Sequence, residues 1–219
     1  MKRAVVLALG CLLALAASGL WLGPDGTDVL AAPPTDGWSQ RSWTYTLHKP
    51  WDVPASQRFR FADGIYSLWI LRGDKPFQPP PKTGGPRCEL RWNNNYDSGR
   101  RMWDGDIFVV RGARSTVVQV FGGVTHATAS QIRSHADGSL RRYDSTVIHS
   151  NAFDRWVNIK IAHEARAGAT GVVRIYGNDV LKSTEPDRGP KTHYFKNGVY
   201  GCGVARCEAR FRNLKQWVR

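Results

Sequence analysis

Helical periodicity is missing from this 219-residue sequence. After residue 24, apolar residues do not recur at helical spacing over any window of about 11 residues. Apolar runs long enough to cross a bilayer are also missing after the first 23 residues. Without crossover helices, a parallel α/β sheet is excluded. Disorder is excluded as well, because hydrophobic residues make up 42% of the chain and include 9 Trp, 7 Tyr and 8 Phe.

Acidic residues are scarce. The chain has 18 Asp and Glu against 31 Lys and Arg, which gives a net charge of +13. A surplus of this size favours an anionic partner. Most of the basic residues are arginine, whose planar guanidinium fits carboxylates and phosphates. We therefore expect the ligand to be a planar anion.

The first 31 residues have the order of a secretory signal peptide. Lys2 and Arg3 precede an apolar run from Ala4 to Ala17, and small residues follow it. Cleavage could fall near Ala17 or after Ala31, and an uncleaved membrane anchor is the alternative. We expect a secreted protein with a linker at 32–40 and a single domain at 41–219 that has no membrane contact once the signal is removed.

Cysteine is sparse, with four residues in the chain. Cys11 lies in the leader. In an oxidising compartment, the short loop between Cys202 and Cys207 allows these two to form a disulfide, which leaves Cys88 unpaired and directed into the core. Three cysteines without histidines at ligand spacing do not make a zinc site. We expect no metal and no other cofactor.

Short strand-forming runs fill the rest of the chain. Eleven of them, from Arg41–His48 to Glu208–Val218, alternate with clusters of Gly, Pro, Asn and Asp. Asp137-Gly138 and Gly177-Asn178 are signals for two-residue hairpins. The sequence therefore predicts an all-β, jelly-roll sandwich of two antiparallel sheets with a concave cleft.

One predicted strand carries a charged face. In the run from residue 87 to 92, alternation places Arg87, Glu89 and Arg91 on one face, with Cys88 and its apolar neighbours on the other. Such a face is either a solvated exterior with ordinary ion pairs or one wall of a binding cleft.

Two further strands carry unusual polar residues. In the run from 193 to 200, Tyr194, Lys196 and Tyr200 share a face opposite apolar residues. Gln119 is the single polar side chain in the apolar run VVQVF. A buried amide without a partner costs about 1–3 kcal/mol, so Gln119 must have a partner or a ligand.

These three segments carry a family resemblance. RCELR, QVF and YFKNGVY, in this order, resemble the three motifs of the alginate-lyase-type polysaccharide lyases of family seven. Over Trp43 to Val218 the chain is still more similar to the plant citrate-binding-protein branch of that superfamily, through segments such as LHKPWDVP, GIYSLWI and KPFQ. The resemblance implies a β-jelly roll whose concave sheet is lined by the three strands.

The resemblance also implies a role for each motif residue. Arg87 and Gln119 would neutralise the carboxylate of a uronate, and Tyr200 would be the catalytic acid and, in the single-residue form, also the base. Proton removal at sugar C-5 builds enolate charge on that carboxylate, so fixed donors lower the barrier. The expected substrate-binding residues are Glu89, Arg91, Arg133, Tyr194 and Lys196.

Phe121 departs from the family motif, which has a histidine at this position that assists proton abstraction in many of the lyases. The six histidines of the chain all lie elsewhere. We expect His163 and His193 to be structural, whereas His126 and His135 could enter the cleft from a loop or from the next strand.

Two functions remain open. The first is a polysaccharide lyase that cleaves an alginate- or glucuronan-like polyuronate by β-elimination. The alternative is a non-catalytic binder of citrate, another polycarboxylate or an acidic glycan. Nucleic acid is not expected as a partner, because no nucleic-acid-binding motif accompanies the charge. We expect a monomer.

Overall fold

The computed structural model describes residues 33–82 and 84–219. The expected signal peptide at 1–31 lies outside the described residues. None of the helices within the described part has the length and apolarity that a membrane span requires.

Strands dominate the unit from Pro34 to Arg219. Among the residues that the structure describes, the one helical element is a short 3₁₀ turn at Ala55–Gln57. The strands in the described residues are β1 (Ser39–Arg41), β2 (Tyr45–His48), β3 (Phe59–Ala62), β4 (Ile65–Leu71), β5 (Arg87–Trp92), β6 (Gly99–Val109), β7 (Thr116–Phe121), β8 (Thr128–Ser134), β9 (Leu140–Arg142), β10 (Thr146–His149), β11 (Trp156–Arg166), β12 (Ala169–Gly177), β13 (Val180–Pro186), β14 (Tyr194–Tyr200) and β15 (Arg206–Val218).

These strands form two antiparallel sheets. The seven-stranded sheet has the order β10-β9-β8-β7-β14-β5-β2, and we call it the site sheet. The back sheet has the order β13-β12-β11-β6-β15-β4-β3, and β1 pairs with β15 beside that path. The predicted jelly-roll sandwich is confirmed.

The core lies between the two sheets. Each strand sends alternate apolar side chains inward, and Trp92, Trp103 and Phe195 are fully buried there. Asn197 Oδ1 accepts hydrogen bonds from Trp92 Nε1 at 2.7 Å and from Trp103 Nε1 at 3.4 Å. Because Trp92 and Trp103 belong to different sheets, this one amide satisfies a buried indole on each side of the sandwich.

The turn between β12 and β13 differs by one residue from the predicted one. Gly177 pairs with Val180, so the two turn residues are Asn178 and Asp179, with φ of 48° and 65°. Asn and Asp tolerate this left-handed conformation. Gly177 is needed for another reason, since a Cβ there would lie 2.7 Å from the carbonyl oxygen of Ile148. Asp137 and Gly138 do lie in the hairpin between β8 and β9, but the strands end at Ser134 and resume at Leu140, so the connection has five residues instead of the predicted two.

The chain begins to form sheet earlier than the expected linker allows. Strand β1 begins at Ser39, inside the 32–40 segment, because Ser39 and Gln40 pair with Val218 and Trp217 at the end of β15.

The cysteines are placed as predicted. Just after β14, Cys202 and Cys207 form a disulfide, and Cys88 is a buried free thiol in the core.

Candidate functional site

Strands β5, β14 and β7 are neighbours in the site sheet, so their motif residues meet. Across β14 and β5, Lys196 lies opposite Arg91, and Tyr200 lies opposite Arg87. Across β14 and β7, Lys196 lies opposite Gln119. The three sequence motifs therefore form one continuous polar surface.

Gly198 permits this arrangement. Its backbone has φ of 150°, and a Cβ at this position would lie 2.2 Å from the carbonyl oxygen of Cys88 and 2.6 Å from the Cα of Glu89. Only glycine allows strand β14 to approach β5 this closely. Glu89 lies directly opposite Gly198 in the register.

Glu89 is the centre of a buried ionic cluster. Glu89 as a residue is 1% exposed, and Lys196 and Gln119 are 2% and 3% exposed. Glu89 Oε2 lies 3.6 Å from Lys196 Nζ and 3.7 Å from Arg87 Nη1. Gln119 donates its amide hydrogen to Glu89 Oε1, so the predicted need of Gln119 for a partner is met inside the protein.

Burial and charge oppose each other in this cluster. Burial raises the pKa of the Glu89 carboxyl, while the positive charges of Lys196 and Arg87 act in the opposite direction. Burial likewise lowers the pKa of Lys196, and the Glu89 charge counteracts it. Each group keeps its partner charged, so removal of either one leaves a buried charge without compensation.

Aromatic rings close the cluster from outside. Phe121 stacks on Tyr194 with 4.9 Å between ring centroids, and Lys196 Nζ lies 4.4 Å from the centroid of Phe121. The Arg91 guanidinium lies over Tyr194 at 3.9 Å. Phe121 therefore shields Lys196 from solvent and offers no base at this position.

A second pair of rings lies on the other side of the cluster. His48 stacks on Phe77 at 4.2 Å, and the Arg87 guanidinium lies 5.5 Å from the Phe77 centroid. His48 Nδ1 is buried and has no hydrogen-bond partner among the described residues. Burial, together with the positive charges of Lys196, Arg87 and Arg91, lowers the pKa of His48 to about 4. We call His48, Phe77, Phe121 and Tyr194 the aromatic cover.

An open cavity of about 530 Å³ lies next to the cluster, at the Tyr200 end of the site sheet. Arg114, Arg133 and Tyr200 contribute to its wall. The Arg87 guanidinium lies over the Tyr200 ring at 4.3 Å, and a Cβ on Gly85 would lie 3.2 Å from the same ring. Tyr200 is thus held between a cation and the 84–85 segment while it borders the cavity.

The two arginines of the cavity differ in their partners. Arg133 Nη1 donates to both carboxylate oxygens of Asp144, at 2.8 and 3.0 Å. His135 borders the cavity, and its Nε2 lies 3.7 Å from Asp144. The exposed guanidinium of Arg114 has no hydrogen-bond or ion-pair partner among the residues that the structure describes. It is available to an anion.

The expected site residues thus fall into two groups. Glu89, Gln119 and Lys196 are buried, whereas Tyr200 and Arg133 border the cavity. Arg87 lies between the two groups with a side chain 12% exposed. Tyr194 belongs to the aromatic cover, and Arg91 packs on it.

Sequence reasoning missed His48, Phe77 and Arg114. None of the three lies in the motifs RCELR, QVF and YFKNGVY, and two precede the first of these in the chain. The segments LHKPWDVP and KPFQ contain His48 and Phe77, but no spacing rule shows that they fold over Arg87. Arg114 lies in the turn before β7.

The other histidines lie away from the cluster. His126 is exposed in a loop. His163, fully buried, contacts the Tyr96 hydroxyl and the Asp187 carboxylate, each at 2.9 Å. His163, Asp187 and His193 come within 4.8 Å of one another, a spacing that a metal ion could use. The contacts of His163 instead fit the structural role expected for it.

Sequence comparison shows which known protein the chain is related to. No protein-family model matches the chain. The chain is 34% identical over 193 residues to the citrate-binding protein of Hevea brasiliensis. The matched region covers 84% of this chain and 79% of the relative.

Solved structures show the fold relationship. An alginate lyase of polysaccharide lyase family 7 matches with a TM-score of 0.62 at 19% identity, over 79% of this chain and 93% of that one. An endo-β-1,4-glucuronan lyase from Trichoderma reesei matches with a TM-score of 0.52 at 11% identity, over 84% and 92%. These identities show a shared fold only, and they agree with the resemblance expected from the motifs.

The buried cluster predicts a large stability loss for Glu89→Ala. The substitution leaves Lys196 and Arg87 as uncompensated buried charges, and we expect the free energy of unfolding at pH 7 to fall by about 3–5 kcal/mol. Urea denaturation measures this change. Glu164→Ala is the control, because Glu164 pairs with the exposed Arg166 and should cost no more than about 1 kcal/mol. Equal losses for the two variants would contradict a buried cluster.

The lowered pKa of His48 predicts a pH dependence of stability. Between about pH 6.5 and pH 4, His48 binds a proton in the unfolded chain but stays neutral in the folded one. Its contribution to stability is therefore complete above pH 6.5 and is lost as the pH falls towards 4. His48→Phe keeps the stacked ring and removes the titration. We expect the difference in unfolding free energy between wild type and variant to change across this window in urea denaturation at pH 7.5, 5.5 and 4; a constant difference would contradict the assignment.

Proposed function

The chain belongs to the family of the Hevea brasiliensis citrate-binding protein, and we propose that it binds a small polycarboxylate such as citrate in the cavity beside Tyr200. The observation that carries the proposal is the position of Arg114 and Arg133 in the wall of a cavity of about 530 Å³. This volume lies in the range of small-molecule sites.

The cavity offers the donors that a polycarboxylate needs. Arg114 presents a free guanidinium. Arg133 is held in place by Asp144 and by the Gln131 amide oxygen, and it contributes its positive charge to the cavity wall. Guanidinium groups bind carboxylates through two parallel hydrogen bonds. The Tyr200 hydroxyl supplies a further donor at the same wall.

Binding is favoured over turnover by the state of Gln119 and Lys196. The amide nitrogen of Gln119 donates to Glu89, and its oxygen accepts from Thr128 at 3.4 Å. The Phe121 ring covers Lys196. Two of the groups that the lyase motif would use are therefore occupied by other parts of the protein.

A lyase is the second candidate, and one observation favours it. Tyr200 borders the cavity, and the Arg87 guanidinium lies 4.3 Å from its ring. As a general acid and base, Tyr200 would take the C-5 proton of a uronate and return a proton to the leaving oxygen. The elimination would break the C-4–oxygen bond and form the C-4–C-5 double bond. The lyase names of the structural neighbours are consistent with this candidate.

We also propose that the protein is secreted and acts outside the reducing cytosol. The order of residues in the leader supports export. The Cys202–Cys207 disulfide supports an oxidising compartment. Amino-terminal sequencing of the exported protein would locate the cleavage site.

The binding proposal predicts that Arg114→Ala combined with Arg133→Ala weakens citrate binding by at least about tenfold, since each change removes a charge-assisted hydrogen-bond donor. The second change also exposes the Asp144 carboxylate to the ligand. Isothermal titration calorimetry measures the affinity. Arg100→Ala is the matched control, because Arg100 pairs with Glu164 on the back sheet. Citrate affinity that is unchanged in the double variant would contradict the proposal.

The two candidates differ in what Tyr200→Phe changes. For a binder, the variant alters citrate affinity modestly, and neither it nor wild type forms an unsaturated sugar from alginate, glucuronan or pectate. For a lyase, wild type forms the product and the variant loses about 10²–10⁴ in rate at similar substrate affinity. Ultraviolet absorbance of the unsaturated product measures turnover. We expect the first outcome, and wild-type turnover abolished by Tyr200→Phe would overturn it.

A further inference from the structure

The outer face of the back sheet carries a second polar and aromatic surface, separate from the one on the site sheet. One cross-strand row runs over five adjacent strands. Arg60 pairs with Ser67, Ser67 with Arg210, Arg210 with Phe108, and Phe108 with Trp156. We call these five residues the back row. With strands about 4.8 Å apart, the row spans roughly 19 Å.

The back row faces away from the core. Its neighbours along the strands, Leu68, Ile107 and Phe211, are fully buried between the sheets. Side chains alternate along a strand, so the row must point outward. A groove of about 500 Å³ runs along it, and Trp69, Arg206 and Glu208 join the row in its wall.

The arginines of this groove are held in place. Glu208, 8% exposed, accepts from Arg206 Nη2 at 2.6 Å and from Arg210 Nε at 2.8 Å. Burial alone would raise the pKa of Glu208, but these two hydrogen bonds hold it below its ordinary value. The nitrogens of Arg210 beyond Nε have no hydrogen-bond partner among the described residues and remain for a ligand.

Aromatic rings lie beside these cations. The Arg210 guanidinium lies 5.4 Å from the Phe108 centroid, and the Arg206 guanidinium lies 5.0 Å from Trp69. Phe108 and Trp156 are 5.5 Å apart. These rings are half-buried and fixed in the sheet, so they offer apolar surface at little entropic cost.

We propose that the back row is a second binding surface for an acidic polysaccharide, which crosses the strands with sugar faces on Phe108 and Trp156 and carboxylates on Arg60 and Arg210. The length of the row exceeds a small polycarboxylate and fits an extended chain. The mixture of rings and guanidinium groups matches a polymer that has both apolar faces and carboxylates.

The charge of the groove favours a polyuronate over a nucleic acid. Three arginines, Arg60, Arg206 and Arg210, stand against Asp63 and Glu208. A surplus of one positive charge is small for a polyphosphate backbone, whose binding depends on many neutralised phosphates. It suits a ligand with one carboxylate on each sugar.

The test separates this surface from the cavity. In the background of Arg114→Ala and Arg133→Ala, we expect polygalacturonate or polymannuronate to bind still, as measured by affinity electrophoresis and calorimetry. Adding Arg210→Ala and Trp156→Ala should weaken binding of these polymers by at least about tenfold. In the otherwise wild-type protein, the same two groove changes should leave citrate affinity unaltered.

Two further variants keep the test decisive. Arg60→Ala alters an exposed side chain of the row, and we expect it to weaken polymer binding without loss of folding. Arg166→Ala is the matched control, because Arg166 lies ten residues after Trp156 on β11, roughly 33 Å away. Polymer affinity that is indifferent to Arg210→Ala and Arg60→Ala would overturn the proposal, as would equal binding of neutral dextran or a preference for single-stranded DNA. Wild-type protein that binds the polymers but not citrate would refute the cavity assignment alone.

Discussion

The burial of the Glu89 carboxylate between two cations is the interaction on which the site sheet depends. Arg87 and Lys196 both approach Glu89 Oε2, and they would repel each other without it. A buried ion pair is weak evidence for stability, but it specifies register strongly. A slip of β5 by one residue would turn Cys88 outward and place Glu89 in the apolar core. The cluster therefore fixes how β5, β14 and β7 align, and that alignment positions Tyr200 at the cavity.

The aromatic cover separates this structural role from ligand binding. Phe121 lies over Lys196, and Phe77 lies near Arg87, so water is excluded from the Glu89 cluster. Exclusion of water strengthens the charge interactions inside. The same rings keep a ligand away from Lys196. The proposed anion binding therefore relies on arginines outside the cover, where a carboxylate can enter and leave without breaking buried pairs.

The sequence predicted the architecture because strand alternation and the three motifs are local signals. Alternation correctly assigned Cys88 to the core and grouped Glu89 with its charged neighbours on the other face. Alternation could not show whether the charged face is exposed or buried, since such a face can be open to solvent or covered by other side chains. His48 reaches the site because β2 pairs with β5 and places it opposite Glu89, and Phe77 comes from a loop and stacks on it. Neither the pairing of β2 with β5 nor the loop contact is a local signal. The turn between β12 and β13 lies one residue later than predicted, at Asn178 and Asp179, because close packing against Ile148 requires glycine at position 177.

Arginine side chains on the outer faces of the two sheets are held in place in the same way. At the cavity, Arg133 is held by Asp144 and lies 5.4 Å from the Tyr143 ring. On the back sheet, Arg210 is held by Glu208 and lies 5.4 Å from the Phe108 ring. In each case a carboxylate and a ring fix the guanidinium before a ligand arrives, so less side-chain entropy is lost on binding. Lysine cannot replace arginine in this arrangement. An ammonium group is not planar, so it cannot stack on a ring while it also bonds both the fixed carboxylate and a ligand carboxylate. Arginine at these two positions therefore follows from the geometry and not from charge alone.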